Sequence, residues 1–168
     1  MKNIKIILCL SICYLITGSA YAQKATISSK FLQEASIVGM NTEALGNLGQ
    51  KRLENSDIKA YALEVLNTQV AANAQLKALA KKKKVKLADP MTIPINSMQT
   101  RVDSNTVDFD KEYIQMIIDD HNKVITLYEG AVKSPDKDIK SYASRYLSIY
   151  KKNLEAALKL SKENKNKE

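Results

Sequence analysis

Apolar residues recur at helical spacing through most of the chain, in four segments separated by turn-forming residues. The spacing predicts helix 1 from about Ser29 to Leu53 and, after Glu54-Asn55-Ser56, helix 2 from about Asp57 to Lys84. Ser56 is the expected N-cap of helix 2, and its stripe Ile58, Ala62, Val65, Gln69, Ala72, Leu76, Leu79 alternates steps of four and three. The run Lys81 to Lys84 suits the negative end of the helix dipole. Asp108 is placed to cap helix 3, whose stripe is Ile114, Ile117, His121, Val124, Tyr128, Ala131. Ser134-Pro135-Asp136 reads as a cap, a proline at the first helical position and an acid behind it. Helix 4 follows, with the stripe Ile139, Tyr142, Tyr146, Ile149, Asn153, Ala156, Leu160. The charged tail from Ser161 is expected to fray.

The links differ in length, and that decides topology. Short links join helices 1 to 2 and 3 to 4, forcing antiparallel hairpins. Val85 to Val107, holding Pro90 and Pro94, is long enough to cross the bundle from end to end. The expected fold is all-α: a four-helix, ferritin-like bundle with one long crossover between helices 2 and 3. An up-down bundle with a meandering loop is the alternative.

Each stripe carries one polar residue near its middle: Glu43, Gln69, His121 and Asn153. Inward residues from facing helices are where bundles build metal or cofactor sites. Glu43 and His121 are good ligands; the two amides are poor ones. His121 is the only histidine in the chain. Asp120 precedes it, and adjacent helical positions point about 100° apart. Glu43, Asp120 and His121 are therefore weak metal candidates, and the four mid-stripe residues are expected to form a hydrogen-bonded polar layer. Ser36, Gly39, Glu43, Gly46 and Gln50 share a line on helix 1. Glycine costs about 1 kcal/mol inside a helix, so two on one line point to close approach of another helix or room for a ligand. Tyr142, Tyr146 and Tyr150 are expected at the core rim with wet hydroxyls.

The first 22 residues read as an export signal. Lys2 and Lys5 precede the apolar run Ile6 to Ile16, which is too short to span a bilayer, and Ala20-Tyr21-Ala22 is a small-x-small cleavage site. The expected domains are residues 1–22, a signal peptide, and 23–168, a helical bundle beginning at Gln23. An uncleaved anchor is the alternative. Periplasmic or secreted placement follows, with no transmembrane segment after cleavage. Both cysteines, Cys9 and Cys13, lie in the leader, so the mature chain has neither disulfides nor thiolate ligands.

The chain has 26 Lys and Arg against 18 Asp and Glu; without Lys2 and Lys5 that is 24 against 18, a formal charge of +6. Only Arg52, Arg101 and Arg145 are arginine. Bidentate readers of nucleic acid lean on arginine, so no nucleic-acid partner is expected and the lysines read as a solvated surface, with weak attraction to anionic envelope surfaces left open.

Three stretches carry a family resemblance. Phe109-Asp110-Lys111-Glu112-Tyr113 through Asp119-Asp120-His121 has a Phe-Asp start, a tyrosine, an apolar run and Asp-His. Glu43-Ala44-Leu45-Gly46-Asn47-Leu48-Gly49 and the later Tyr61-Ala62 and Asn73 to Ala80 add to it. From about Phe31 to Leu160 the chain resembles the exported bacterial family known as domain of unknown function 4142. The resemblance implies a ferritin-like bundle. It also implies a second histidine where Gln69 stands and a third where Asn153 stands, so two imidazoles are amides here, which leaves a degenerate metal site.

No Gly-x-Ser-x-Gly elbow, P-loop, Gly-rich dinucleotide loop, HExxH or paired Glu-x-x-His motif occurs. The expectation is a non-enzymatic envelope protein with no cofactor, binding an unidentified envelope partner or serving a stress role. The alternative is a ferritin-like metal-binding or redox protein using Glu43, Asp120 and His121.

Overall fold

The computed structural model describes the backbone of residues 2–89 and 108–165, and side chains from Ile27 to Asp89 and from Asp108 to Asn164. It contains α1 (Lys2–Arg52), α2 (Ser56–Lys83), α3 (Phe109–Ala131) and α4 (Lys137–Lys165). There is no strand among the described residues. The Pro90 and Pro94 of the long link lie outside them.

Capping explains where the helices start, and it corrects two expectations. Asn55, not Ser56, caps α2, its side chain accepting from the backbone N–H of Asp57 and Ile58. Asp136, not Ser134, caps α4, accepting from Asp138 and Ile139, while Ser134 Oγ accepts from the Asp136 N–H. In both places two cap-forming residues stand close together, and the one with the carbonyl or carboxyl oxygen takes the role. Asp108 caps α3 as expected, accepting from Asp110 and Lys111. α2 ends on Lys84 in the left-handed region, φ 56°, where glycine usually stands.

α1 starts well before Ser29. No proline lies between Lys2 and Arg52, and the serines near residue 28 do not stop the helix. Ser28 instead donates to Asp136 at 3.3 Å, tying α1 to the turn before α4.

The order of elements in space follows from a few contacts. α1 packs chiefly on α2, α3 on α4, α1 also on α3 and α2 on α4. α3 begins beside the α1–α2 turn, where Asp110 accepts from the N–H groups of Glu54 and Asn55 at 3.2 and 2.6 Å. α2 ends at the other pole, where Lys83 pairs with Asp136 and Asp138, both at 2.7 Å. The link from α2 to α3 therefore travels the length of the bundle, about 42 Å for a 28-residue helix. That is the single-crossover, ferritin-like arrangement.

Two apolar clusters fill the interior. One, toward the α2–α4 pole, holds Phe31, Leu32, Leu76, Val124, Tyr128 and Ile139 among others. The second, toward the α1–α2 turn, holds Leu45, Ile58, Val65, Tyr113, Ile114 and Ile117. The stripes of α2 and α3 are buried as read from the sequence, apart from Leu79, which is half-buried. On α4 the buried line passes through Tyr150 and Ala157 rather than Ile149 and Ala156, which are half-buried. Two of the three α4 tyrosine hydroxyls expected to be wet find partners inside the bundle. Tyr142 donates to the Ala72 carbonyl at 3.1 Å, and Tyr150 donates to Gln69 at 3.1 Å.

At Gly46 the backbones of α1 and α2 come close together. A β-carbon there would meet Leu66 Cβ at 2.8 Å and its Cα at 3.2 Å. Because one of those atoms is backbone, the helices would have to part. Gly46→Ala is expected to cost about 1–3 kcal/mol by overpacking, despite alanine's better helix propensity. A urea midpoint equal to or above wild type would contradict this.

Candidate functional site

The two apolar clusters meet at a belt of polar side chains contributed by all four helices. α1 gives Thr42 and Glu43, α2 gives Gln69 and Asn73, α3 gives Asp120 and His121, and α4 gives Tyr150 and Asn153. Helical registry brings them level. Tyr128 on α3 meets both Tyr142 and Tyr150 on α4, and two helical turns nearer the α1–α2 turn His121 meets Tyr150.

One strand of hydrogen bonds runs from α4 through α2 to α1. Tyr150 donates to Gln69 Oε1 at 3.1 Å, Gln69 Nε2 to Asn73 Oδ1 at 2.8 Å, and Asn73 Nδ2 to Glu43 Oε2 at 2.7 Å. Every donor in this relay points toward Glu43, and a carboxylate, which only accepts, is its natural terminus. The Asn73 amide also donates to the Gly39 carbonyl at 3.2 Å. Gly39 makes this possible: a β-carbon there would collide with the Asn73 and Gln69 amides. The polar line on α1 thus has its glycine where an amide from α2 approaches the backbone.

A second link joins α1 to α3. Thr42 Oγ1 lies 2.6 Å from Asp120 Oδ2 and 3.1 Å from the Val38 carbonyl. One hydroxyl proton cannot serve both acceptors. With Asp120 ionised, Thr42 donates to it. With Asp120 protonated, the carboxyl donates to Thr42, which is then free to donate to Val38. Burial raises the Asp120 carboxyl to about 6, against the pull of the Thr42 hydrogen bond and the Lys123 charge.

His121 is fully buried. Its Nδ1 lies 3.0 Å from the Ile117 carbonyl, which can only accept, so Nδ1 carries the proton and Nε2 presents a bare lone pair. Burial lowers the imidazole to about 4, the Ile117 carbonyl acting weakly the other way. At neutral pH the ring is uncharged. Its edge meets the Tyr150 ring, centroids 5.9 Å apart. Among the described residues His121 Nε2 and Asn153 Nδ2 find no hydrogen-bond partner, and neither does Tyr113 Oη.

The four residues singled out from the sequence therefore all lie at the belt, yet no direct hydrogen bond joins any two of them. Glu43 and Gln69 are joined through Asn73. His121 and Gln69 both address Tyr150. Asn153 offers its backbone carbonyl to Tyr61 Oη at 2.9 Å. The weak metal candidates diverge: Glu43 is held by Asn73 on α2, Asp120 faces Thr42 on α1, and His121 faces Tyr150 on α4. Among the described residues no three His, Cys, Asp or Glu side chains group so as to hold a metal ion. Sequence reasoning missed Thr42 and Asn73. Asn73 lies one helical turn beyond Gln69, the signal that could have found it; Thr42 has only its place beside Glu43.

The molecule is thus a four-helix bundle of ferritin-like connectivity with a polar belt in its core. The chain belongs to the family described as domain of unknown function DUF4142, whose pattern matches residues 17–160. A crystallised DUF305 fragment from Deinococcus radiodurans shares the fold, with a TM-score of 0.68 and 11% identity over 82% of this chain and 96% of the fragment. No curated protein matches the chain. Among the described residues no helix is long and apolar enough to cross a membrane.

Proposed function

We propose that this is an exported, non-enzymatic binding protein of the bacterial envelope, periplasmic or secreted, whose polar belt locks helix register instead of carrying chemistry. The observation behind this reading is the relay Tyr150–Gln69–Asn73–Glu43, together with Thr42–Asp120: the belt's polar groups are largely spent on one another across helices. A slip of any helix would strand several buried polar groups, each at about 1–3 kcal/mol, so the belt selects one register. The leader Lys2 to Ala22 supports export, with the mature chain beginning at Gln23.

Protein recovered from its native envelope tests both halves. Intact mass is expected to correspond to a chain starting at Gln23, and elemental analysis to show transition metal far below one per chain. A retained leader contradicts the processing; a stoichiometric metal contradicts the binding-protein reading.

A second reading has one specific observation in its favour. The bare Nε2 of His121, with Nδ1 fixed by the Ile117 carbonyl, has the tautomer of a metal-ligating histidine. Under that reading Glu43 and Asp120 would have to release Asn73 and Thr42 and turn inward to join it, giving a ferritin-like metal-binding or redox protein.

A further inference from the structure

The topology gathers lysines at one pole of the bundle, where α2 ends, the α3–α4 turn lies and α4 begins. Five contacts fix this pole. Lys82 and Lys83 pair with Asp138, and Lys83 also with Asp136. Gln33 on α1 donates to the Lys86 carbonyl at 3.4 Å, and Ser28 donates to Asp136. These pairs consume the acids of the α3–α4 turn and the first turn of α4. Hydrogen bonds from Lys83 and Lys82 hold Asp138 down to about 2, so it stays ionised and paired.

Apart from the exposed Asp89, what is left facing solvent is positive. Lys81, Lys84, Lys86, Lys133, Lys137 and Lys140 are all exposed, and none enters an ion pair among the described residues. The opposite pole is mixed, with Glu54, Asp57, Asp108 and Glu163 among Lys51, Arg52, Lys111, Lys159 and Lys162.

Helix stability does not account for this distribution. Lys81 at the end of α2 complements the dipole, but Lys137 and Lys140 sit in the first turns of α4, where the dipole disfavours cations. Lys84 occupies a left-handed cap position that glycine fills at lower cost. Lys84, Lys137 and Lys140 thus stand against local preference.

We propose that this pole is a docking face for an anionic lipid surface. The side chains are all lysine at the pole, point charges on flexible stems that suit a diffuse headgroup layer, not the forked contacts used to read nucleic acid. The chain also leaves the bundle here: α1 is continuous from Lys2, so the leader with its apolar Ile6 to Ile16 run joins at the end marked by Ser28. The proposal shares no residue with the polar belt and stands independently of how the belt is read.

The test uses the full chain and sedimentation with vesicles of phosphatidylcholine alone or mixed with phosphatidylglycerol. Binding to phosphatidylcholine alone reports the apolar leader and serves as the baseline. The increment on adding phosphatidylglycerol is expected to fall with salt, and to drop by about tenfold or more when Lys84, Lys86, Lys133 and Lys137 are all changed to Gln. The same number of changes at Lys51, Lys59, Lys152 and Lys162 is expected to cost far less. Seven of the eight side chains are exposed and Lys59 is half-buried, and circular dichroism checks that both variants fold. No phosphatidylglycerol increment, equal losses from the two variants, or preference of the same lysines for double-stranded DNA over vesicles would each overturn the proposal.

Discussion

Replacing His121 with leucine is expected to make stability fall as pH rises from about 4 to 6, by on the order of 3 kcal/mol, where the wild type stays nearly flat. Two neighbouring buried groups pull in opposite directions. Asp120 titrates near 6 in the folded chain and at 3.8 when free. The folded state therefore holds the extra proton between those values, and the contribution of Asp120, full below 3.8, is lost as pH rises through about 6. His121 titrates near 4 when folded and at 6.5 when free. Here the unfolded chain holds the extra proton, so stability is lowest below about 4 and recovers as pH rises to 6.5. The windows overlap and the magnitudes are alike, so the two nearly cancel. Removing the histidine exposes the Asp120 slope. Asp120→Asn, in which the amide oxygen still accepts from Thr42, exposes the His121 slope, and stability then climbs over the same range. Asp136 and Asp138 are held below their ordinary range through Lys83, so their titration falls under this window. Urea midpoints measured across it would contradict the account if the two variants changed in the same direction.

Tyr128→Ala is expected to be among the most damaging single changes, costing about 3–5 kcal/mol and roughly 10 °C in melting temperature. Tyr128 is 2% exposed and is the hub of the aromatic end of the core. Its ring meets Phe31 at 5.2 Å, Tyr150 at 5.0 Å and Tyr142 at 6.0 Å between centroids. Truncation leaves a cavity lined by three rings from α1 and α4, which helices locked at the belt cannot collapse into. Tyr128→Phe keeps the ring and loses the hydroxyl's contacts with Tyr150 and with the Tyr142 hydroxyl at 3.3 Å, so about 1 kcal/mol is expected. Thermal melts in which alanine did no more harm than phenylalanine would show that ring packing is not what holds this end together.

The helices and the bundle were legible because α2 and α3 carry clean stripes, and because unequal link lengths leave few ways to connect four helices. The turn of α4 toward Tyr150 and Ala157 was not. Ile149 and Tyr150, like Ala156 and Ala157, are adjacent apolar residues, and spacing alone does not choose between them. The caps slipped by one or two positions because Asn55 beside Ser56, and Ser134 before Asp136, offer two acceptors each. The belt was visible as one polar residue per stripe. Its wiring was not, because Asn73 to Glu43 and Thr42 to Asp120 depend on the rotation and registry of one helix against another, which a single-helix pattern does not contain. Gly39 and Gly46 pointed at close packing without saying that one admits an amide and the other a leucine.

Under the proposed function the belt is a hydrogen-bonded lock and not a ligand set. The most direct measurement is the melting temperature of the wild-type protein titrated with Zn²⁺, Mn²⁺ and Fe²⁺, alongside His121→Leu and Glu43→Ala. A ligand that binds the folded state at about a hundred times its dissociation constant adds about 2.7 kcal/mol, a shift well within reach of a thermal melt. None of the three metals is expected to move the wild-type transition beyond what it does to the two variants. A large metal-dependent rise in wild type that vanishes in both variants would contradict this and make the bare Nε2 of His121 the centre of a metal site.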